Sequence, residues 1–353
     1  MYRITTFDGR SSCSKPIGLL TSMLRLEGNK STFAHAFSIC VVIYIIYSDI
    51  SRLRTSTKLE MCFIFSNSLS LVAMLLWFLR LRSKKVEYIE LIDTFENQTR
   101  FNLDNSQVYQ HFTSIRKCFS FMVIIILLLY TFANIYTPIM IFRKSNDYVQ
   151  LGQSLLLGLL SSICILCFQI YNQFLVESCL HIHACWFIVN EQIRLLNSTD
   201  SRLLSINQVR EVRSMYSIAA VITEKMDSFL RIPIFNFFSF FILSSISVIA
   251  QVCYEPTLFG CVSLLWRLLK LTLITYNMIY AHYLSHKCFD DVYSLSHKTR
   301  SITSNNEVQL FLDRISQSDI GFSFLKISLI TPTFVTSWTS TTLTIVLSLP
   351  SLL

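Results

Sequence analysis

The sequence predicts an all-α polytopic membrane protein with seven transmembrane helices, its amino terminus cytoplasmic and its carboxyl terminus extracellular. Three observations carry this. Hydrophobic residues make up 52% of the 353 residues and charged ones only 15%, where a soluble domain carries roughly 25% charge. The apolar residues gather into seven stretches close to the roughly 20 residues that a helix needs to cross a bilayer. Lys and Arg then fall almost wholly on one side of the membrane that those stretches imply.

The first stretch, 31–48, is short and ends in the run 40–47. The second is 59–79. The third, 118–142, contains 122–129 without a polar residue. The fourth is 151–170, the fifth 232–252 and the sixth 258–283. The seventh, 327–349, is rich in Thr and Ser and carries no charge after Lys326. Pro332 enters near its start, where it either kinks the helix or ends an irregular segment.

The orientation comes from counting cations. Twenty-three Lys and Arg fall before the first stretch or in the loops after the second, fourth and sixth, against 5 on the opposite side. Cytoplasmic loops retain positive charge, so the richer side is predicted to be cytoplasmic. The whole chain 1–353 then reads as one membrane domain. Residues 1–30 form a cytoplasmic start, and 171–231 and 284–326 form cytoplasmic helical extensions. Leu175, Cys179, Ile182, Trp186, Val189, Ile193 and Leu196 recur at helical spacing. Val308 to Ile315 reads as a short amphipathic helix. The start has no short apolar core followed by a small-residue cleavage site, so the first span is predicted to act as the targeting signal. The sequons at Asn29, Asn97 and Asn197 all lie on the inner side and are predicted to stay unmodified; an inverted chain would expose them.

No catalytic grouping is visible, and the chain is not predicted to be an enzyme. HExxH, GxSxG and phosphate-cradling Gly loops do not occur. His181 and His183 stand two apart and face different sides of a helix. Cys164 and Cys167 have CxxC spacing but sit in an apolar run with no second pair, so they read as core residues and not metal ligands. No cofactor is implied. Cys253 and Cys261 both fall near a predicted outer loop and are the one pair for which a disulfide is left open. No dense basic run with interleaved aromatics suggests nucleic acid.

Two features of the spans carry chemical content. Arg267 and Lys270 lie three apart, on one helix face, at predicted membrane depth. Either they line a wet cavity, meeting Glu60, Glu255 or an anionic ligand, or they snorkel to the outer interface. With Tyr130, Asn134 and Trp266 they form the candidate ligand pocket. In the last stretch Thr336, Ser340, Thr344 and Ser348 make a hydroxyl stripe, with Thr333, Ser337 and Thr341 beside it. Leu343, Val346 and Leu347 supply apolar bulk beyond. Such a stripe serves close helix packing or lines an ion pathway with an apolar gate. The residues alone favour packing.

The run 321–330, Gly-Phe-Ser-Phe-Leu-Lys-Ile-Ser-Leu-Ile, followed by the Thr/Ser-rich stretch, resembles the end of the insect-type gustatory and odorant receptor superfamily, which includes nematode gustatory-receptor-like proteins. Residues 174–196, with Asn190-Glu191-Gln192, resemble that family's inner helix. The family's Thr-Tyr and Gln-Phe pairs are replaced here by Thr339-Ser340 and Val346-Leu347, so this is a divergent sequence. The resemblance implies a gustatory-type chemoreceptor of the plasma membrane that is itself a ligand-gated cation channel. Its partners would be a small tastant or odorant and three further subunits, in a homo- or hetero-tetramer. The pore would be lined by Thr336, Ser340, Leu343, Thr344, Val346 and Leu347. The competing reading is a G-protein-coupled chemoreceptor, which needs the inverted topology. A transporter ranks last, because no inverted repeat or interrupted span pair is visible.

Overall fold

The computed structural model describes residues 29–52, 58–99, 106–145, 147–199, 204–254, 258–298, 301–317 and 319–352. Its helices are α1 (Asn29–Arg52), α2 (Lys58–Ser83), α3 (Lys85–Thr99), α4 (Ser106–Ser145) and α5 (Tyr148–Ser198). They continue as α6 (Ile206–Tyr254), α7 (Leu258–His286), α8 (Phe289–Lys298) and α9 (Ile302–Gln317). A hairpin of β1 (Ser323–Phe324) and β2 (Ser328–Leu329) precedes α10 (Pro332–Leu352). Among the described residues, Val108–Met140, Tyr148–Ser198 and Gly260–Lys298 are long and apolar enough to cross a membrane. This is the architecture of a multi-pass membrane protein.

The helix lengths explain the shape of the core. α5 has 51 residues; at about 1.5 Å rise per residue it is more than twice as long as the roughly 30 Å hydrocarbon layer. One end of it must therefore leave the bilayer. Burial changes abruptly along it. Among the described side chains of 148–168 only Cys164 is buried, whereas from Gln169 to Trp186 every residue except Gln173 is. The apolar side chains of the first half face outwards, as do Phe121, Leu128 and Phe132 of α4. Lipid solvates such a surface without penalty, while the second half must bury its apolar face against protein.

The second half of α5 and the first half of α6 pack on α7, α8 and α9 to make this inner bundle. Trp186, Tyr216, Phe237, Phe311 and Phe322 are fully enclosed in it. Several charged and polar groups buried there are paired. Arg116 of α4 grips Glu177 of α5 with both ends of its fork, Nε to Oε1 at 2.9 Å and the terminal nitrogen to Oε2 at 2.6 Å. Glu307 of α9 meets Arg210 and Arg213 of α6 at 2.8 and 3.0 Å, and the bond from Arg210 holds its carboxyl below the ordinary range. His183 Nε2 donates to the Asn277 carbonyl at 2.8 Å, which leaves its Nδ1 to accept from His111 Nε2 at 3.2 Å. His183 is thereby the neutral Nε2–H tautomer, and burial disfavours its charged form.

The sequence places the last span at 327–349. Instead the helix begins at Pro332, and Ser328 and Leu329 form β2. The reason is local. Proline suits the first helical position, where its missing N–H would be unpaired in any case, and Thr331 Oγ1 caps the backbone N–H of Phe334 at 3.3 Å. The short helix expected at 308–315 is correspondingly part of a longer one, α9.

The turn before α10 is strained and held. Leu325 and Lys326 have φ of 54° and 60°, a left-handed conformation that costs a residue with a Cβ about 1–2 kcal/mol. Asp227 of α6 accepts from Ser323 N and from Ser323 Oγ, each at 2.7 Å. Phe322 and Ile330 are buried on either side. Burial pushes the Asp227 carboxyl above its ordinary 3.8, against the opposing pull of the two Ser323 bonds. A carboxyl raised on folding takes up its proton earlier in the native state. Its contribution is complete below 3.8 and is lost as pH rises through the folded value. Asp227→Asn is expected to flatten the dependence of melting temperature on pH above pH 3.8. An unchanged slope in the detergent-solubilised protein would count against this.

Close packing between α4 and α5 rests on Gly158. A Cβ there would lie 2.9 Å from the Asn134 carbonyl oxygen, so the helices would have to part. Gly158→Ala is expected to cost about 1–3 kcal/mol by overpacking, read as a lower melting temperature.

Candidate ligand cavity and last helix

A cavity of about 270 Å³ lies between α1, α2, α4, α5, α6 and α7. Three helices supply most of its wall, each through one face. Ile126 and Tyr130 are one turn apart on α4, Ser161, Cys164, Ile165 and Phe168 follow helical spacing on α5, and Trp266, Arg267 and Lys270 share a face of α7. Ile45, Leu71 and Phe240 close it from α1, α2 and α6, and Gln169 adds an amide. Its size falls just below the roughly 300–1,000 Å³ range of small-molecule sites, and its mix of apolar walls with a few polar groups is theirs.

Four of the five residues that the sequence offers as a pocket, Tyr130, Trp266, Arg267 and Lys270, line this one space. Asn134 does not. Its amide nitrogen donates to the Gly158 carbonyl at 3.1 Å and to Ser162 Oγ at 2.9 Å, so it ties α4 to α5. This corrects the expectation, and the cause is position along the axis: Asn134 is one turn beyond Tyr130, where α5 approaches too closely to leave room. The α5 residues were missed because Ser, Cys, Ile and Phe in an apolar run give no polar signal. Gln169, an amide at the end of that run, was the available clue.

Lys270 is buried and Arg267 is half-buried. Lys270 is 6% exposed, and its ammonium lies 4.6 Å from the centre of the Phe168 ring, a cation–π contact. Arg267 hydrogen-bonds to Tyr130, while its Nε is buried without a partner. The side chains of Glu60 and Glu255 lie outside the described residues. Among the described residues no ion pair reaches either cation, and no carboxylate lines the cavity.

α10 has two faces. Phe334 and Trp338, with ring centres 5.7 and 5.4 Å from that of Phe238, pack on α6, and Thr342 follows them into the contact as a buried residue. Thr336, Ser340, Leu343 and Thr344 are exposed. The side chains of Val346 and Leu347 lie outside the described residues. The close packing within the chain therefore uses the aromatic row and not the hydroxyl stripe. The stripe's hydroxyls bond backwards along their own helix, Thr336 to the Thr333 carbonyl and Thr344 to that of Ser340, both at 2.9 Å. Cys261 is a free thiol; the side chain of Cys253 is outside the described residues.

No protein-family model matches the sequence, and no curated protein is significantly similar to it. Solved structures do match. The insect olfactory receptor OR5 from Machilis hrabei superposes with a TM-score of 0.65 at 8% identity, over 92% of this chain and 90% of that one. The same receptor in complex with eugenol gives 0.70 at 9% identity, over 93% of each chain. At that identity the likeness is one of architecture, and it spans nearly the whole length of both proteins: this chain has the insect olfactory receptor fold.

Proposed function

We propose that this protein is a gustatory-type chemoreceptor of the plasma membrane, a ligand-gated cation channel whose last helix lines the pore. Four copies, or copies with related subunits, would surround that pore, and a small tastant or odorant would bind in the cavity of each. The observation that carries the reading is the division of α10. Its aromatic row is spent on α6, and Thr336, Ser340, Leu343 and Thr344 remain uncovered by any described element of the chain. A row of hydroxyls with a bulky apolar residue beside it suits a water-filled path with a hydrophobic constriction. The complex of the similar receptor with eugenol supports small-molecule binding to this architecture. The missing Tyr and Gln of the family's last-span motif make this a divergent pore.

The seven-span orientation, amino terminus inside, is supported by the excess of cations on that side. It is also supported by Asn197, whose amide donates to Asp291 at 3.1 Å and accepts from Ser294 at 2.7 Å; a glycan on that nitrogen would displace both. Whole-cell recording with G-protein signalling blocked tests the channel directly. Agonist-evoked cation current is expected, and a cationic thiol reagent is expected to suppress it in Ser340→Cys and Thr344→Cys but not in the parent. Current that needs G-protein signalling, together with surface labelling of an amino-terminal tag on intact cells, would replace this reading with a G-protein-coupled receptor of inverted topology.

A further inference from the structure

The cavity holds an uncommon imbalance. Two cationic side chains enter it from one face of α7, three residues apart, and the described wall supplies them with a phenol, a ring face and an amide but no carboxylate. Like charges on one helix face repel. A buried cation is costly unless it is paired, and cation–π contact and one phenolic bond only partly replace a counter-ion. The unpartnered Arg267 Nε is the remaining deficit. The rest of the wall, Ile126, Ile165, Phe168 and Phe240 among it, is apolar or aromatic.

We infer that the ligand of this cavity is an organic anion: a carboxylate, or a comparable monoanionic oxyanion, carried on a small apolar or aromatic body. The inference rests on the cavity being the receptor's ligand site. The anionic group sits between Arg267 and Lys270, accepting from the guanidinium and the ammonium, and the apolar body lies against Phe168 and the α4 wall. An oxyanion in this place has two sources, a free organic acid or the headgroup of an acidic lipid drawn in from the bilayer.

The test uses the full-length protein in phosphatidylcholine nanodiscs and a matched pair of probes, 3-phenylpropanoate and 3-phenylpropanamide, which differ little except in charge. Binding is measured by titration calorimetry. The acid is expected to bind at least about tenfold more tightly than the amide, the lower end of what a charge-assisted hydrogen bond contributes. Lys270→Met is expected to reduce the preference several-fold and Lys270→Arg to keep it. The Met variant keeps the volume of the wall, and its melting curve reports folding independently. Equal affinity of the two probes for the parent protein overturns the anionic assignment and leaves the cavity standing as a ligand site. Failure of both probes to bind at millimolar concentration overturns the assignment and removes the cavity from the receptor reading, while channel function is judged separately from the recordings. A second arm adds phosphatidylglycerol to the discs. Weakened acid binding in the parent but not in Lys270→Met assigns the anion to a lipid headgroup; unchanged binding assigns it to a free acid.

Discussion

Glu177→Ala is expected to cost about 3–5 kcal/mol, because it leaves a buried guanidinium without its partner. The Arg116 and Glu177 side chains are 12% and 7% exposed, and the guanidinium also stacks over Phe112 at 4.7 Å. Arg116 lies ahead of the apolar part of α4, and Glu177 follows that of α5. The pair therefore joins two long helices where they enter the inner bundle. Removing one charge is the severe change. Removing both is mild, since a desolvated pair recovers little more than its own desolvation penalty. Arg116→Met combined with Glu177→Leu is accordingly expected to melt close to the parent, while Glu177→Ala loses its monodisperse peak in heated fluorescence-detected size exclusion. Equal stability of the single variant and the parent would show that the pair is not buried in the membrane-embedded protein.

A comparable loss is expected at Trp186. Its side chain is fully enclosed, its Nε1 donates to Thr223 Oγ1 at 3.1 Å, and its ring meets Tyr216 edge-on at 5.0 Å between centres. Truncation to Ala removes the largest side chain of the inner bundle and costs about 3–5 kcal/mol. Thr223 survives the change, because its hydroxyl also donates to the Ala219 carbonyl at 2.8 Å. The penalty is therefore one of packing, and Trp186→Phe is expected to recover most of it. Should Phe and Ala prove equally damaging in thermal melts, the indole hydrogen bond would matter more to stability than the volume of the ring.

Much of this architecture was legible along the chain. Each apolar stretch falls within a helix, apart from the first five residues of the last one. The spacing of Leu175, Cys179, Ile182, Trp186, Val189, Ile193 and Leu196 marks a face that the structure buries completely. Of the cavity, the α7 side and Tyr130 stood out because a charge or a phenol in an apolar run is conspicuous. The α5 wall did not, since its residues are those of any membrane helix. Asn134 was misplaced because polarity says that a side chain needs a partner and not which neighbour provides it.

By itself the sequence determined the class, the apolar helices and where the cations fall between them. These are one-dimensional properties, set by hydrophobic runs of bilayer length and by where cations interrupt them. Tertiary structure alone decided the pairings. Arg116 meets Glu177 across 61 positions, Asp227 holds Ser323 across 96, and six helices meet to enclose one cavity. It also decided which face of α10 is spent on α6. Each of these depends on how a helix is rotated about its axis against its neighbours, and composition is blind to that angle.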